Sequence, residues 1–377
     1  MTKTALIAPE IFDGKLLHRD AALLLRNNLV EAIVTNNAVP NGYDQQTYET
    51  GVILPGFVDL QVNGGGGVMF NDATSVTGLH TIAAALAGTG TRALLPTLIT
   101  DTPDKTSAAI DAVEAAIAQD VPGIIGIHLE GPHIAIAKKG AHYAALIRPM
   151  EAADEALLLD AARRLPNVMV TVAPESATLE QIKRLSAGGV MVALGHTACG
   201  FDAAQAAFAA GASCVTHLFN AMHPLGSREP GLVGATLGTS GIAAGLIADN
   251  IHVHATSMQI ALNASEGIFL VTDAMATLGS DIGQFELNGR TVSRKDGRLT
   301  LADGTLAGAD LDLPRAISVL IDRVGAPRAR AYAMATSLPA RCLRSQAGWG
   351  HFTPGKPAHA IHLSDEHTYL GPAPKVA

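Results

Sequence analysis

Cysteine and aromatic side chains are scarce in this chain of 377 residues. The three cysteines, Cys199, Cys214 and Cys342, are odd in number and have no Cys-x-x-Cys spacing, which argues against a disulfide framework and a structural zinc knuckle. Aromatic residues make up 4% of the chain, whereas glycine contributes 38 residues. That composition suits short strands packed under Ala/Gly-rich helices better than an all-β sandwich.

Clusters of positive charge are also missing. Lysine and arginine total 26 against 34 aspartates and glutamates, and the formal net charge is −8. An acidic chain without a Lys/Arg run is a poor candidate for binding nucleic acid or an anionic membrane. An anionic small molecule would have to be held by a few local donors.

No apolar run is long and pure enough to cross a bilayer. The segment AALLLRNNLVEAIV is interrupted by Arg26, Asn27, Asn28 and Glu31. The first residues, MTKTALIAPEIFDGK, lack the basic and then apolar pattern of a signal peptide. We therefore expect a soluble, cytoplasmic protein with reduced cysteines.

Apolar residues are abundant, at 48% of the chain with a mean hydropathy of +0.26, and they predict a large core. From Val52 onward, apolar strands alternate with Ala-rich helical stretches, which is typical of βαβ units in a parallel sheet. The strand-like segments are VILPGFVDLQV, TRALLPTLIT, GIIGIHLEG, VMVTVAPE, VMVALGHT, SCVTHLFNAM, GIAAGLIADN and GIFLVTDAMA. Eight such strands predict an α/β fold, a (β/α)₈ TIM-like barrel over residues 54–348.

Short strands and turns occupy the two ends of the chain and one internal segment. Asn-Gly and Asp-Gly pairs predict a β-hairpin insertion near residues 283–305, after the eighth strand. The first fifty residues and the tail GHFTPGKPAHAIHLSD both have short-strand texture. We therefore expect residues 1–53 and 349–377 to pair into a small β-sandwich domain beside the barrel.

Polar residues stand at the ends of six predicted barrel strands, where the active site of this fold lies. They are Asp59, Gln61 and Asn63, then His128 and Glu130, His196, His217 and Asn220, Asp249 with His252, and Asp273. A single strand-end histidine is most simply a core residue. Polar residues at the ends of six strands of one barrel, however, indicate an active site at its mouth.

Glu130 ends a buried strand in GIIGIHLEGPH, and a carboxylate there requires an arginine, a hydrogen-bond network or a metal ion. Glu130, His196 and His217 are a suitable ligand set for Zn²⁺ with one position left open, and we favour a metal over a structural salt bridge. Asp273 follows FLVT and could exchange protons with water beside that metal. Capping of the next helix is its alternative role.

Eight segments in order between about Leu54 and Gly308 carry a family resemblance: PGFVDLQVNG, HLEGPH, KKGAH, LGHT, THLFNAM, DNIHVH, VTDAMA and LAGA. Together they resemble the N-acetylglucosamine-6-phosphate deacetylases of the amidohydrolase superfamily. The resemblance implies metal-dependent hydrolysis of the acetamide of N-acetyl-D-glucosamine 6-phosphate, in amino-sugar catabolism or cell-wall recycling. The alternatives are the galacto epimer, another amide, and a non-catalytic sugar-phosphate sensor.

The same resemblance implies residue roles. Glu130, His196 and His217 would bind the metal, Asp273 would be the general base and acid, and His142 would polarise the acetamide carbonyl. The implied substrate contacts are Ala141, His142, Asn220, Ala221, Arg228, His252, Leu306, Ala307 and Gly308. Arg228 would come from the neighbouring subunit of a homodimer. From the residues alone, a solvated Arg228 and a surface His142 are the alternatives.

The first barrel strand carries Gln61 and Asn63 where much of the superfamily has a His-x-His pair for a second metal. Neutral amides are poor zinc ligands but good hydrogen-bonding groups. We therefore expect one divalent ion per subunit, Zn²⁺ first and Fe²⁺, Co²⁺ or Mn²⁺ otherwise, with both amides orienting its surroundings. Residues without an assigned role are His133, His223, His254 and the three cysteines.

Overall fold

The N-terminal strands form a mixed sheet in the computed structural model, which describes residues 2–374. They are β1 (Lys3–Phe12), β2 (Leu17–Arg26), β3 (Leu29–Thr35), β4 (Asp44–Thr47) and β5 (Val52–Pro55). Strands β1, β2 and β3 are antiparallel, and the other edge of β1 pairs in parallel with β4 and then β5. Asn27 and Asn28 turn β2 into β3 with φ values of 51° and 64°, as a two-residue hairpin loop requires.

Eight parallel strands form the barrel. In chain order the next strands are β6 (Phe57–Val62), a small hairpin of β7 (Gly64–Gly65) and β8 (Val68–Met69), β9 (Thr91–Ile99), β10 (Ile127–Glu130), β11 (Val168–Val172), β12 (Met191–Leu194), β13 (Cys214–Val215), β14 (Ala243–Leu246) and β15 (Ile268–Leu270). Strands β6 and β9 to β15 pair in sequence, and a parallel bridge from Val62 to Ala274 joins the last to the first. The predicted TIM-like barrel is thus confirmed.

Helices cover the outside of the barrel. They are α1 (Val76–Ala87), α2 (Pro103–Ala118), α3 (Ala152–Arg164), α4 (Leu179–Ala187), α5 (Phe201–Ala210), α6 (Gly231–Gly238) and α7 (Ala255–Ala264). Ser75, Thr102 and Thr178 each cap a helix by accepting a backbone N–H in its first turn. Because the helices shield one face and the barrel interior the other, the strands are buried on both sides and read as continuous apolar runs.

The prediction that VILPGFVDLQV forms the first barrel strand is wrong for the first half of this segment. Val52–Pro55 belongs to β5 of the terminal sheet, and the barrel strand begins only at Phe57. Gly56 between them donates its N–H to the His359 carbonyl oxygen at 2.9 Å, outside the barrel ladder. The apolar run therefore serves two sheets, and its Pro-Gly pair marks the change.

The predicted insertion is a four-stranded antiparallel sheet. Its strands are β16 (Gln284–Leu287), β17 (Arg290–Lys295), β18 (Arg298–Thr300) and β19 (Leu306–Ala309). Asn288-Gly289 and Asp296-Gly297 form its tight turns with positive φ throughout, as their sequence predicts. Phe285 and Leu287 pack with Met275 and Ile99, which places this sheet beside the barrel mouth.

The chain returns to the first sheet at its C-terminal end. After α8 (Leu313–Asp322), α9 (Arg328–Ala335) and α10 (Ser337–Cys342), strands β20 (Ala360–Leu363) and β21 (Tyr369–Pro372) extend it beside β5. The resulting seven-stranded sheet fits the small sandwich expected from both termini. Its division from the barrel at 53/54 and 348/349 remains our proposal, and β5 crosses the first of these boundaries, since it ends at Pro55. Met1 and residues 375–377 lie outside the described part.

Over residues 2–374, no helix has both the length and the apolar character needed to cross a membrane.

Candidate active site

The carboxyl ends of the barrel strands surround a cavity of about 380 Å³. Most of the predicted site residues line it: Asn63, Glu130, Ala141, His142, His196, His217, Asn220, Ala221, His252, Asp273, Leu306 and Gly308. A larger groove of about 720 Å³ lies at the opposite end of the barrel, beside Cys214, Cys342 and Arg341. That groove lacks a carboxylate–imidazole cluster, so we place the site at the mouth.

Three polar atoms meet at the centre of the cavity. Glu130 Oε1 lies 3.2 Å from His196 Nε2 and 3.0 Å from His217 Nε2, and the two nitrogens are 3.0 Å apart. All three side chains are buried, with residue exposures of 2%, 4% and 5%. Within residues 2–374, the ion-pair partners of Glu130 are histidines, and none is an arginine or a lysine.

This cluster fits a divalent cation. Ligand atoms around a tetrahedral zinc ion are about 3.3 Å apart, close to the three distances here. The ring of His196 is also oriented as a ligand would be, because its Nδ1 lies 2.8 Å from the Lys138 carbonyl oxygen. His217 Nδ1 has no partner within the described residues. The geometry around Glu130 therefore fits a metal site better than a salt bridge with an arginine.

A second set of candidate ligands overlaps the first. Ligand atoms of Glu130, His142 and His196 lie within 4.8 Å of one another. The His142 Nε2 atom is 3.9 Å from Glu130 Oε2, farther than either nitrogen facing Oε1. We regard the tighter cluster with His217 as the better-formed site.

The electrostatics favour an ionised Glu130. Burial alone would raise the pKa of this carboxyl group, but the contacts with the His196 and His217 imidazoles hold it well below its usual range. Burial lowers the pKa of His142 to about 3, so its ring is neutral. Burial, together with the Glu130 charge, raises the pKa of Asp273 to about 6. The cavity thus holds two carboxyl groups of different basicity.

Two amide side chains hold Asp273 in place. Asn63 Nδ2 donates to Asp273 Oδ1 at 2.7 Å, and Gln61 Nε2 donates to the same oxygen at 3.0 Å. Gln61 Nε2 also reaches Glu130 Oε1 at 3.1 Å, although Gln61 itself does not line the cavity. Both amides therefore act as hydrogen-bond donors to the carboxylates.

The backbone leaves the strands sharply at three of these residues. His196, His217 and Asp273 have φ values of 48°, 27° and 50°, in the left-handed region that non-glycine residues rarely adopt. Such strain is found where the surrounding structure fixes a side chain for function. Here it occurs at the ends of three strands, where each side chain faces the cavity.

A second part of the cavity contains His252. Its Nδ1 lies 2.6 Å from Asp249 Oδ2, and Asp249 Oδ1 accepts the backbone N–H groups of Ile251 and His252 at 2.8 Å. The pKa of Asp249 falls despite burial because of the hydrogen bond with His252. An ionised carboxylate thus fixes the imidazole beside Asn220 and Ala221.

Arg228 lies apart from the cavity of its own chain. It is exposed, on a loop fixed by Glu229, which accepts the N–H groups of Phe201 and Gly231 at 2.7 and 2.9 Å. Ala307 is also outside the cavity wall, since its side chain packs in the core of the insertion while Leu306 and Gly308 line the wall.

Two residues of the strand-end series lie in a deeper layer of the barrel interior, below the cavity. Asp59 lies two positions before Gln61 and His128 lies two positions before Glu130, so both face the barrel interior one layer deeper than those residues. Asp59 accepts the hydroxyl of Thr272 at 2.5 Å, and His128 lies 2.8 Å from Thr171 Oγ1. Our prediction that all the strand-end polar residues converge on one mouth was therefore wrong for this pair.

The residues without an assigned role lie elsewhere. His133 Nδ1 is 3.2 Å from the Arg148 carbonyl, His223 Nδ1 is 2.9 Å from the Pro224 carbonyl, and His254 caps α7. The three cysteines are free.

Sequence reasoning missed three contributors to the site. Lys138 holds His196 through its backbone carbonyl, and Arg290 of β17 donates to the carbonyl of Ala141. Thr100 Oγ1 lies 2.7 Å from His142 Nδ1. Only Thr100 had a usable signal, because it is a polar residue directly after a barrel strand.

Comparison with known proteins places these features in context. The amidohydrolase family model matches residues 52–376. An N-acetylgalactosamine-6-phosphate deacetylase of a Shewanella species is 41% identical over 323 residues, covering 85% of this chain and 81% of that protein. An N-acetylglucosamine-6-phosphate deacetylase of Haemophilus influenzae is 31% identical over 373 residues, covering 98% and 97%. The crystal structure of the N-acetylglucosamine-6-phosphate deacetylase of Pasteurella multocida matches with a TM-score of 0.94 and 31% identity, over 98% of both chains.

Proposed function

The chain belongs to the amidohydrolase family, and from that premise we propose that it hydrolyses the acetamide of N-acetyl-D-glucosamine 6-phosphate. The products are D-glucosamine 6-phosphate and acetate. The observation that carries this function is the buried cluster of Glu130, His196 and His217 beside Asp273, in a chain similar over nearly its full length to deacetylases of this substrate.

We propose that Glu130, His196 and His217 hold one divalent ion, with Zn²⁺ as the first choice for one carboxylate and two imidazoles. When bound, such an ion supplies Lewis acidity and lowers the pKa of water. Gln61 and Asn63 donate their amide N–H groups to carboxylates, and neutral amides are poor zinc ligands, so we assign no second ion to them. Metal analysis should give one tight ion per chain, and two tight ions would contradict this assignment.

Asp273 is the proton carrier in this proposal. Asn63 and Gln61 both donate to its Oδ1, which leaves Oδ2 to take a proton from the attacking water and return it to the leaving amine. With a pKa raised to about 6, the group is ionised at neutral pH and still basic enough to accept a proton. His142 hydrogen-bonds to the acetamide oxygen as negative charge develops there.

In this proposal the phosphate binds in the part of the cavity that contains His252. His252, fixed by Asp249, lies there with Asn220 and Ala221. Arg228 is exposed and absent from its own cavity wall, which fits a residue that reaches the site of a second copy. We therefore propose a homodimer. We also propose a cytoplasmic location, since sugar phosphates do not cross membranes unaided and the cysteines are free.

One observation favours a second candidate substrate. The relative that is 41% identical is a deacetylase of N-acetylgalactosamine 6-phosphate, whereas the Haemophilus influenzae deacetylase of the gluco epimer is 31% identical. The two sugars differ only in the configuration at C4.

An acetate-release assay on metal-defined protein tests both candidates. The panel contains both 6-phosphates and both unphosphorylated N-acetyl sugars. We expect the gluco 6-phosphate to be turned over fastest and the unphosphorylated sugars slowest, since remote phosphate binding positions the acetamide. Faster turnover of the galacto 6-phosphate would establish the second candidate. Absence of acetate from every substrate would leave a non-catalytic sugar-phosphate sensor.

A further inference from the structure

Thr100 follows β9 and contacts His142, although it does not itself line the cavity. It is 1% exposed, and its Oγ1 lies 2.7 Å from His142 Nδ1. The chain is shaped around this contact, because a Cβ at position 131 would lie 2.2 Å from Thr100 Oγ1. Gly131 also has a φ of 86°, in the left-handed region that favours glycine. Glycine at this position therefore both adopts the backbone conformation and leaves room for the Thr100 hydroxyl.

The contact permits two arrangements of protons. In one, His142 Nδ1 donates to Thr100 and leaves a lone pair on Nε2, as a metal ligand requires. In the other, the Thr100 hydroxyl donates to Nδ1 and the ring proton resides on Nε2. The first arrangement leaves the hydroxyl hydrogen without an acceptor, since Nδ1 is the hydrogen-bond partner found for Thr100 Oγ1 within residues 2–374.

The surroundings of Nε2 favour the second arrangement. This nitrogen lies 3.9 Å from Glu130 Oε2, whereas His196 and His217 face the other carboxylate oxygen, Oε1. An N–H directed toward a carboxylate oxygen is attracted, whereas a lone pair directed there is repelled. Both ends of the imidazole thus give the same assignment.

We propose that Thr100 is a positioning residue that fixes His142 in the Nε2–H form. His142 is then a hydrogen-bond donor to the cavity and not a metal ligand, which decides between the two overlapping ligand sets. That the donor acts on the acetamide oxygen rests on the proposed function. The assignments of the His142 tautomer and of the ligand set do not depend on the proposed function.

Substitution of Thr100 by its isostere tests the proposal. Thr100→Val keeps the shape and removes the hydroxyl, whereas Thr100→Ser keeps the hydroxyl. We expect Thr100→Val to lower kcat by about 10- to 100-fold with KM changed less than about twofold. Without the hydroxyl, His142 is no longer fixed as an Nε2–H donor, and the hydrogen bond from that donor matters most in the transition state. Thr100→Ser should retain kcat within about threefold of the parent. Equal losses in both variants, or a loss confined to KM, would overturn the positioning role.

Two measurements without turnover test the assignment itself. In ¹⁵N-histidine-labelled protein, with His142→Gln used to identify the signal, we expect a proton on Nε2 and a bare Nδ1. In zinc titrations, His142→Gln should bind the ion as tightly as the parent, while His196→Gln should lose it. A bare Nε2 would overturn the tautomer assignment, and equal zinc loss in both variants would make His142 a ligand. These results hold even if no N-acetyl sugar is hydrolysed, so failure of the proposed function is distinguishable.

Discussion

At the scale of single residues, substitution of Asp273 tests the proposed proton transfer separately from metal binding. Its carboxylate accepts hydrogen bonds from Asn63 and Gln61, and it does not belong to the cluster of Glu130, His196 and His217. Asp273→Asn should therefore keep one metal ion per chain and lower kcat by at least about 10³-fold, because an amide cannot accept the proton. Metal analysis and single-turnover assays on the same preparation check this. Near-normal turnover would remove Asp273 from the mechanism.

Asp249 offers a different kind of prediction, on substrate discrimination. It fixes His252 by a 2.6 Å contact and does not line the cavity. Asp249→Asn weakens that hold, so we expect KM for the 6-phosphate to rise about tenfold with kcat nearly unchanged. Turnover of the unphosphorylated sugar is the internal control and should stay the same. Parallel losses for both sugars would show a general structural role instead.

The position of a polar residue at the end of a buried strand predicted some residues of the site and misplaced others. Glu130, His196, His217 and Asp273 were predictable because each ends a buried strand, where a polar side chain is costly to bury unless it meets a partner or a ligand. Asp59 and His128 share that pattern but lie a layer deeper, since the period of two along a strand gives the face and not the depth. Arg290 comes from an insertion whose docking no local pattern specifies.

At the scale of elements, the seam between β6 and β15 buries a carboxyl group. Burial raises the pKa of Asp59 to about 7, against 3.8 for the ordinary group, although Thr272 and the Gln61 N–H donate to it. Between these two values the folded protein binds the extra proton, so the contribution of Asp59 to stability falls as pH rises and is lowest above about pH 7.

Asp59→Asn should remove this dependence of the unfolding free energy on pH. Urea unfolding of the parent and the variant, at equal metal content and at several pH values from about 5 to about 8, gives the difference in unfolding free energy. We expect the difference to move in favour of the variant with rising pH by a few kcal/mol. A constant difference across the range would mean that Asp59 is ionised throughout.

The insertion sheet acts on the loop that carries His142. Arg290 donates to the Ala141 carbonyl, and its guanidinium lies 6.0 Å from the centre of the Tyr143 ring. Arg290→Met keeps the apolar stem and removes these contacts, so hydrogen exchange over residues 136–146 should increase while zinc content stays unchanged. We expect kcat/KM to fall about tenfold. Unchanged exchange in this loop would show that the insertion does not hold it.

At the scale of the whole molecule, the topology was predictable and the boundary between its parts was not. Regular alternation of apolar strands and Ala-rich helices indicates a barrel, because each repeat needs the next to bury its faces. The run from Val52 to Val62 reads as one strand, yet it supplies β5 to one sheet and β6 to the other. Only the partner strands, β20 from the far end of the chain and β9, make the division visible.

Assembly of two chains is the remaining prediction, and subunit mixing tests it. Arg228 is exposed and Asp273 is buried in the cavity, so if the arginine serves the neighbouring site, the two residues of one active site come from different chains. Arg228→Ala and Asp273→Asn should each be nearly inactive toward the 6-phosphate. A chain with Arg228→Ala still has its own Asp273, and it would receive Arg228 from a partner carrying Asp273→Asn.

Random reassociation of equal amounts makes half of the dimers mixed, each with one complete site, so activity should recover to about a quarter of the parent value. Size-exclusion chromatography of each variant confirms that the dimer persists, and mixing before and after a denaturation–renaturation cycle distinguishes exchange from simple addition. If Arg228 served its own chain, every site would lack one residue and the mixture would only average the two variants. Recovery therefore measures the dimer and the shared site together.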